Sequence, residues 1–437
     1  MSYTFFLPNP DRTRPTLSTV THKTHPFTIV KYNKDHGPVT TNDGMYRSVI
    51  YDSNTGDCVC FSPPKSVDYE VFAGGSANIH STLDDNIIAQ ELVEGTMINV
   101  FFNQYTNSWM TSTKSTLEGK TCFFRTNYLP LEDCECRKTF HDMFMEACKS
   151  CNLNLLEDLD PKRCYSFVLQ HPENRIVVPF TEPNIYLIGE YSMTKELDGC
   201  NITSHDIYKS NLIQVKVPQL YNSDKLDTTF QMLKDTYASD ECITPYTING
   251  FVLYLHGINT KPLHFTPNLQ TYAAGFRAKK RNPMYEHVRH LRGNQPKLQY
   301  HFLVLRKATY FTGRPLNVEF GPLDEFLHYF PEFSEAFCAY EFKVREYVAA
   351  VYRMYVKCFI NREISLKNVD KQYRNTLYHL HKHYLENLRP NKMKVNLEKT
   401  TIYVGRMKEA HLMHYLNLKF HPTSIIQKKN KPSTTHH

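Results

Sequence analysis

The hydrophobic period changes once along this chain, near residue 283. Before that point, apolar residues come in short β-branched or aromatic runs bounded by Asn, Gly, Pro or Asp. "YRSVIYD", "DCVCFSP", "IIAQELVEG", "MINVFF" and "WMTSTKS" read as strands, and "DSNTGD" as a hairpin turn. "RCYSFVLQ", "NRIVVPF", "NIYLIGEYSM" and "TINGFVLYLHG" continue the series. One helix interrupts it, "RKTFHDMFMEACKSC", where Phe140, Met143, Phe144, Ala147 and Cys148 share a face. After the change, "MYEHVRHLRGN" is a short helix stopped by Gly293, and two long amphipathic helices follow. Strands followed by helices specify an α+β fold with an antiparallel β core and an all-helical C-terminal domain.

The boundaries follow from the same pattern. Residues 1–45 are a polar extension with one strand, "PFTIVKY"; residues 46–284 form the β-rich domain; residues 285–437 form the helical domain. No apolar run approaches the roughly 18–20 residues that span a bilayer. The N-terminus lacks the basic start and apolar core of a signal peptide. These features predict a soluble, intracellular protein without membrane contact, its 12 cysteines held as thiols. A net charge of +7 permits a polyanionic partner without requiring one.

The segment "ELVEGTMINVF" is the centre of a series of phrases. Before it stands "GMYRSVIYDSNTGDCVCFSPPKS", an arginine-bearing strand followed by a lysine; after it come "WMTSTKSTL", "YSFVLQHPENRIVVPFTEPNIYLI", "SHDIY", "NGFVLYL" and "FRAKKR". In this order the phrases resemble the RNA ligase family of T-even bacteriophage type, and the RNA-ligase-like proteins of large DNA viruses, over roughly residues 25–290. The resemblance implies a nucleotidyltransferase-like core for residues 46–284, with ATP and Mg2+ as cofactors and RNA ends as partner. It also implies a viral protein working in the cytoplasm of an infected cell. In that family a lysine attacks the α-phosphate of ATP, the adenylate passes to an RNA 5′-phosphate, and a 3′-hydroxyl displaces AMP.

The resemblance assigns roles residue by residue. Arg47, Lys65, Lys114, Arg277 and Lys279 fall where the family grips nucleotide phosphates, and Glu94 falls where it has an acidic residue able to help hold a metal. Five positions depart from the pattern. Leu92 replaces the nucleophilic lysine, Glu94 an aspartate, Ser166 a glutamate of the ribose or metal site, Asn249 a glutamate of the metal-binding strand, and Arg277 the first of two catalytic lysines, of which Lys279 retains the second. A leucine cannot form a phosphoramidate, so any self-adenylation needs another lysine. Lys65, approached through two stiff prolines, is the candidate nucleophile. Its plainer readings are a phosphate ligand and an ordinary surface lysine.

Residues 277–297 hold seven Lys or Arg against one acid, Glu286. Lys280, Arg281, Arg289, Arg292 and Lys297 are the expected RNA-binding cations of this patch, with Arg289 and Arg292 three apart on one helical face. A solvated charged face is the plainer reading. Cys134, Cys136, Cys148 and Cys151 have the pairwise spacing of a zinc site, but Cys148 lies on an apolar helix face and packing explains it as well. Three functions fit the sequence. One is an RNA-ligase-like pseudoenzyme that binds nucleotide and RNA. Another is an active ATP-dependent RNA ligase using Lys65. The third is a non-enzymatic viral structural or interaction protein.

Overall fold

Antiparallel pairing dominates the strands, as short runs joined by tight turns require. A computed structural model describes residues 2–33, 35–36, 41–68, 87–122, 138–221, 246–255, 277–311 and 321–418. They fall into two compact units, one running to Arg292 and the other beginning at Gly293. The helix Pro283–Arg292 therefore belongs with the sheets, although the hydrophobic period has already changed there.

The first unit holds three sheets. The largest orders β1 (Tyr3–Pro8), β12 (Gly199–Ser204), β11 (Asn184–Glu196), β10 (Arg163–Gln170), β8 (Thr96–Asn103) and β9 (Ser108–Ser112). A second orders β2 (Leu17–Thr21), β3 (Phe27–Tyr32), β4 (Val49–Asp52) and β5 (Cys58–Cys60). These two face each other across a core that includes Phe5, Leu7, Phe27, Ile29, Phe61, Phe101 and Ile202. On the far side of the large sheet the helix Phe140–Ser150 buries Met143, Phe144, Ala147 and Cys148 against Ile98, Phe167 and Leu187. Thr139 opens that helix with a capping box: its hydroxyl accepts from the Asp142 amide at 3.2 Å, and its own amide donates to the Asp142 carboxylate at 2.9 Å.

The third sheet orders β13 (Leu220–Tyr221), β7 (Ile87–Glu91), β14 (Gly250–Leu255), β15 (Arg277–Arg281) and β6 (Val67–Asp68). Its one parallel pair is β15 with β6, which sets Val67 beside Ala278 and Asp68 beside Lys279.

Two sequence expectations change. The first 45 residues contribute three strands, because Phe5 and Leu7 alternate inward on β1 and "LSTVT" pairs with "FTIVKY". "NRIVVPF" is not a strand. Its amides turn instead toward a carboxylate of the site, and Pro179 removes a ladder donor.

In the second unit the described elements are helices, among them Leu298–Tyr310, Pro322–Tyr329, Ser334–Tyr355, Lys371–His383, Leu397–Gly405 and Glu409–Asn417. Phe302, Phe326 and Phe337 pack its interior, the last two stacked at 5.2 Å. Among the described residues no helix is long and apolar enough to cross a membrane.

Candidate functional site

Strand β15 carries the densest charge in the first unit. Side chains alternate along a strand, so Arg277, Lys279 and Arg281 share one face while Ala278 and Lys280 take the other. Ala278 is fully buried, which anchors the strand and fixes the charged face opposite. Pairing with β14 sets Tyr254 across from Arg277. Arg277 Nη1 donates to the Tyr254 hydroxyl at 3.1 Å, and the guanidinium lies 5.8 Å from that ring.

Two further segments bring cations to this face. Arg47, just ahead of β4, is drawn down to about 10 by burial and then by the neighbouring Arg277. Lys279 is drawn down to about 7, first by burial and then by Arg281, Arg277, Arg47 and Arg289. Repulsion between charges falls off with distance. Four cations act on the Lys279 amine: Arg47 from the turn before β4, Arg277 and Arg281 from β15, and Arg289 from the helix Pro283–Arg292.

Glu286 offsets part of this charge. It accepts from Arg281 Nη1, and from Arg289 Nη1 at 3.5 Å. Among the described residues Arg47, Arg277 and Lys279 form no ion pair with a carboxylate, and the buried Nε atoms of Arg277 and Arg281 have no acceptor. Buried donors without acceptors are rare in folded proteins, and an anion is the natural complement here.

Lys114 approaches by way of an aromatic ring. Its amine sits 3.9 Å over Tyr32, at the end of β3, and Tyr32 is also among the groups acting on Arg47. Lys31 lies beside it and is lowered by burial and then by Lys114. Lys65 is half-buried and precedes β6, the parallel neighbour of β15; its amide donates to the Gly44 carbonyl at 2.9 Å. Of the five expected phosphate ligands, Arg47, Arg277 and Lys279 act on one another through their charges, Lys114 sits over Tyr32, and Lys65 precedes the strand beside β15.

The departures from the ligase pattern have structural consequences. Leu92 is half-buried after β7, its amide donating to the Gly250 carbonyl at 3.1 Å. Glu94 is 5% exposed, and its carboxylate accepts from the Val177 amide at 2.7 Å and the Val178 amide at 3.0 Å. Burial raises Glu94 above the usual carboxylate range despite those two amides. Gly95 follows at φ +147°, where a Cβ would meet the Leu169 carbonyl oxygen at 2.4 Å, so only glycine fits. Ser166 donates to the Asn99 Oδ1 at 2.9 Å inside the large sheet, and the Asn249 Oδ1 is buried without a donor among the described residues.

A magnesium ion needs one or two free carboxylates beside its phosphates. The described residues do not fit that need. Glu94 is committed to backbone amides, and no group of three His, Cys, Asp or Glu is placed to hold a metal. Cys148 packs in the core, Cys151 donates to the Cys148 carbonyl at 3.4 Å, and Cys134 and Cys136 lie outside the described residues.

The expected RNA-binding cations separate. Lys280 projects from the other face of β15, and Arg281 and Arg289 share Glu286. Arg292 is 5% exposed, because the helix turns it inward beside Val288, on the side where its charge acts on Glu94. Lys297 belongs to the second unit, at the start of the helix Leu298–Tyr310. Sequence reasoning missed Tyr254 and Tyr32 as site residues. Their signal is cross-strand register, which no single run contains.

No family model matches the chain. A stretch of it is weakly homologous to the RNA ligase of Rhodothermus phage RM378, 29% identical over 107 residues. That stretch is 24% of this chain and 23% of the phage protein, so the chain spans under a quarter of the relative it matches. Among solved structures, an archaeal ATP-dependent RNA ligase aligns over 75% of this chain and 68% of its own, at 10% identity and a TM-score of 0.35.

Proposed function

We propose that this RNA-ligase-like protein binds the polyphosphate of a nucleoside triphosphate, ATP first among them, together with RNA ends. The observation that carries the reading is the cluster of Arg47, Arg277, Lys279, Arg281 and Arg289, offset among the described residues by Glu286 alone. Phosphate oxygens would accept from the unfilled Arg277 and Arg281 Nε donors, and guanidinium forks suit them geometrically. Tyr254 and Tyr32 add ring faces next to these charges. RNA binding rests on weaker support: the homology to a phage RNA ligase, and Lys280 and Arg289 at the border of the cluster.

The test is a calorimetric titration with ATP, with and without magnesium. Arg277→Ala and Arg47→Ala each remove charge-assisted hydrogen bonds and are expected to weaken binding by about tenfold to a hundredfold. ATP binding that ignores both substitutions contradicts the reading.

A further inference from the structure

The second unit holds a cavity of about 510 Å3. One wall is built by the helix Leu397–Gly405 and the residue after it. Lys399, Ile402, Tyr403 and Arg406 recur there at i, i+3, i+4 and i+7, so they share one helical face. Another wall is the end of the helix Lys371–His383, which widens into a π turn over Tyr384–Leu388. The Arg389 amide closes that turn on the Tyr384 carbonyl, five residues back, at 2.8 Å. Such wide turns often mark functional sites. His383, at the join, lies 5.4 Å from Tyr403 between ring centroids. The Asn387 amide donates to His383 Nδ1 at 3.1 Å, which leaves the proton of the neutral ring on Nε2. Met393 and Met407 add pliable apolar surface. The charge here has one sign, since Lys399 and Arg406 line the cavity and, among the described residues, no carboxylate does. Lys399 meets only its exposed neighbour Glu398, at 3.9 Å, and Arg406 forms no ion pair among the described residues. Arg406 and Met393 are exposed, so a ligand has access from solvent.

We propose that this cavity binds a nucleoside monophosphate unit, with the base against the Tyr403 and His383 rings and the phosphate held by Lys399 and Arg406. The lining calls for two chemistries in one ligand. A simple anion leaves the rings and methionines wet, and an uncharged aromatic leaves two cations uncompensated. A base that stacks on an aromatic side chain and a phosphate gripped by an arginine fork supply both. The volume lies within the range of about 300–1,000 Å3 usual for small-ligand sites. The same unit occurs as a free nucleotide and as a link of an unpaired RNA strand, and the cavity's chemistry is common to the two. The site lies wholly in the second unit and does not depend on the polyphosphate cradle of the first. No bond is made or broken in it.

The experiment photocrosslinks the full chain with azido-substituted AMP over a range of concentrations and maps the adducts by mass spectrometry. The expected result is a saturable adduct on the peptides containing Tyr403 or His383. It should persist in Arg277→Ala, because the cavity uses no cation of the first unit. Arg406→Glu, at an exposed position, should raise the half-saturating concentration of that adduct about tenfold or more. Tyr403→Leu should raise it about fivefold or more. Competition by unmodified AMP and by a short oligoadenylate distinguishes the sources. A stronger effect of the oligoadenylate supports the proposal with a strand as ligand, and an equal effect supports it with the free nucleotide. Adducts confined to peptides of the first unit overturn the proposal and leave the polyphosphate reading standing. An adduct at this cavity that ignores Arg406→Glu, or no adduct at all, also overturns it. Mapping in the wild type needs no variant, so the proposal stays decidable even if Tyr403→Leu misfolds.

Discussion

Lys279 weakens the ligand-free fold whenever it carries its proton. Its folded value of about 7 lies below the ordinary 10.5, so between these limits the unfolded chain binds more protons than the folded one. Stability contributed through this group therefore rises with pH across that window. Lys279→Met should flatten the rise and raise the melting temperature near pH 7, measured by thermal denaturation at several pH values. Glu94 has the opposite sign. Its folded value is raised, so its contribution falls as pH climbs through the range just above an ordinary glutamate. The same carboxylate satisfies the Val177 and Val178 amides, and Glu94→Ala should cost about 1–3 kcal/mol in urea unfolding by orphaning them. A wild-type melting temperature insensitive to Glu94→Ala would mean that solvent replaces those bonds.

The elements show which local rules could be read directly. Strands bounded by turn residues were legible because period two and punctuation agreed: "DSNTGD" joins β4 to β5 with Gly56 at φ +74°. The helix Phe140–Ser150 was legible from its apolar face, and Thr139→Ala should lower stability by about 1 kcal/mol through loss of the cap. "NRIVVPF" misled because β-branched composition was outweighed by a tertiary acceptor, Glu94, that lies far away in sequence. β1 was hidden because its inward residues, Phe5 and Leu7, make a very short pattern. Gly95→Ala belongs at this scale as well. The new methyl would strike the Leu169 carbonyl where β10 lies against the β7–β8 connection, and the variant should unfold at markedly lower urea than wild type.

For the whole molecule, the cations of the site were legible one by one, but their convergence was not. Arg277 acts on Arg47 although the two are far apart in sequence, and that proximity is a property of topology. Burial was equally hidden. Helical spacing puts Arg289 and Arg292 on one face, yet Arg292 is enclosed and Arg289 is half-exposed. RNA binding measured against salt separates them. Arg289→Ala should reduce the slope of log affinity against log salt by about 0.7, the value for one phosphate contact on a single strand, while Arg292→Ala should leave the slope unchanged.

The most direct measurement is calorimetric titration of ATP into the wild type, Arg47→Ala and Arg277→Ala, each confirmed folded. A polyphosphate cradle predicts saturable wild-type binding, weakened at least about tenfold by either substitution although one residue precedes β4 and the other lies on β15. Wild-type protein that takes up no ATP, or binding indifferent to both changes, contradicts it.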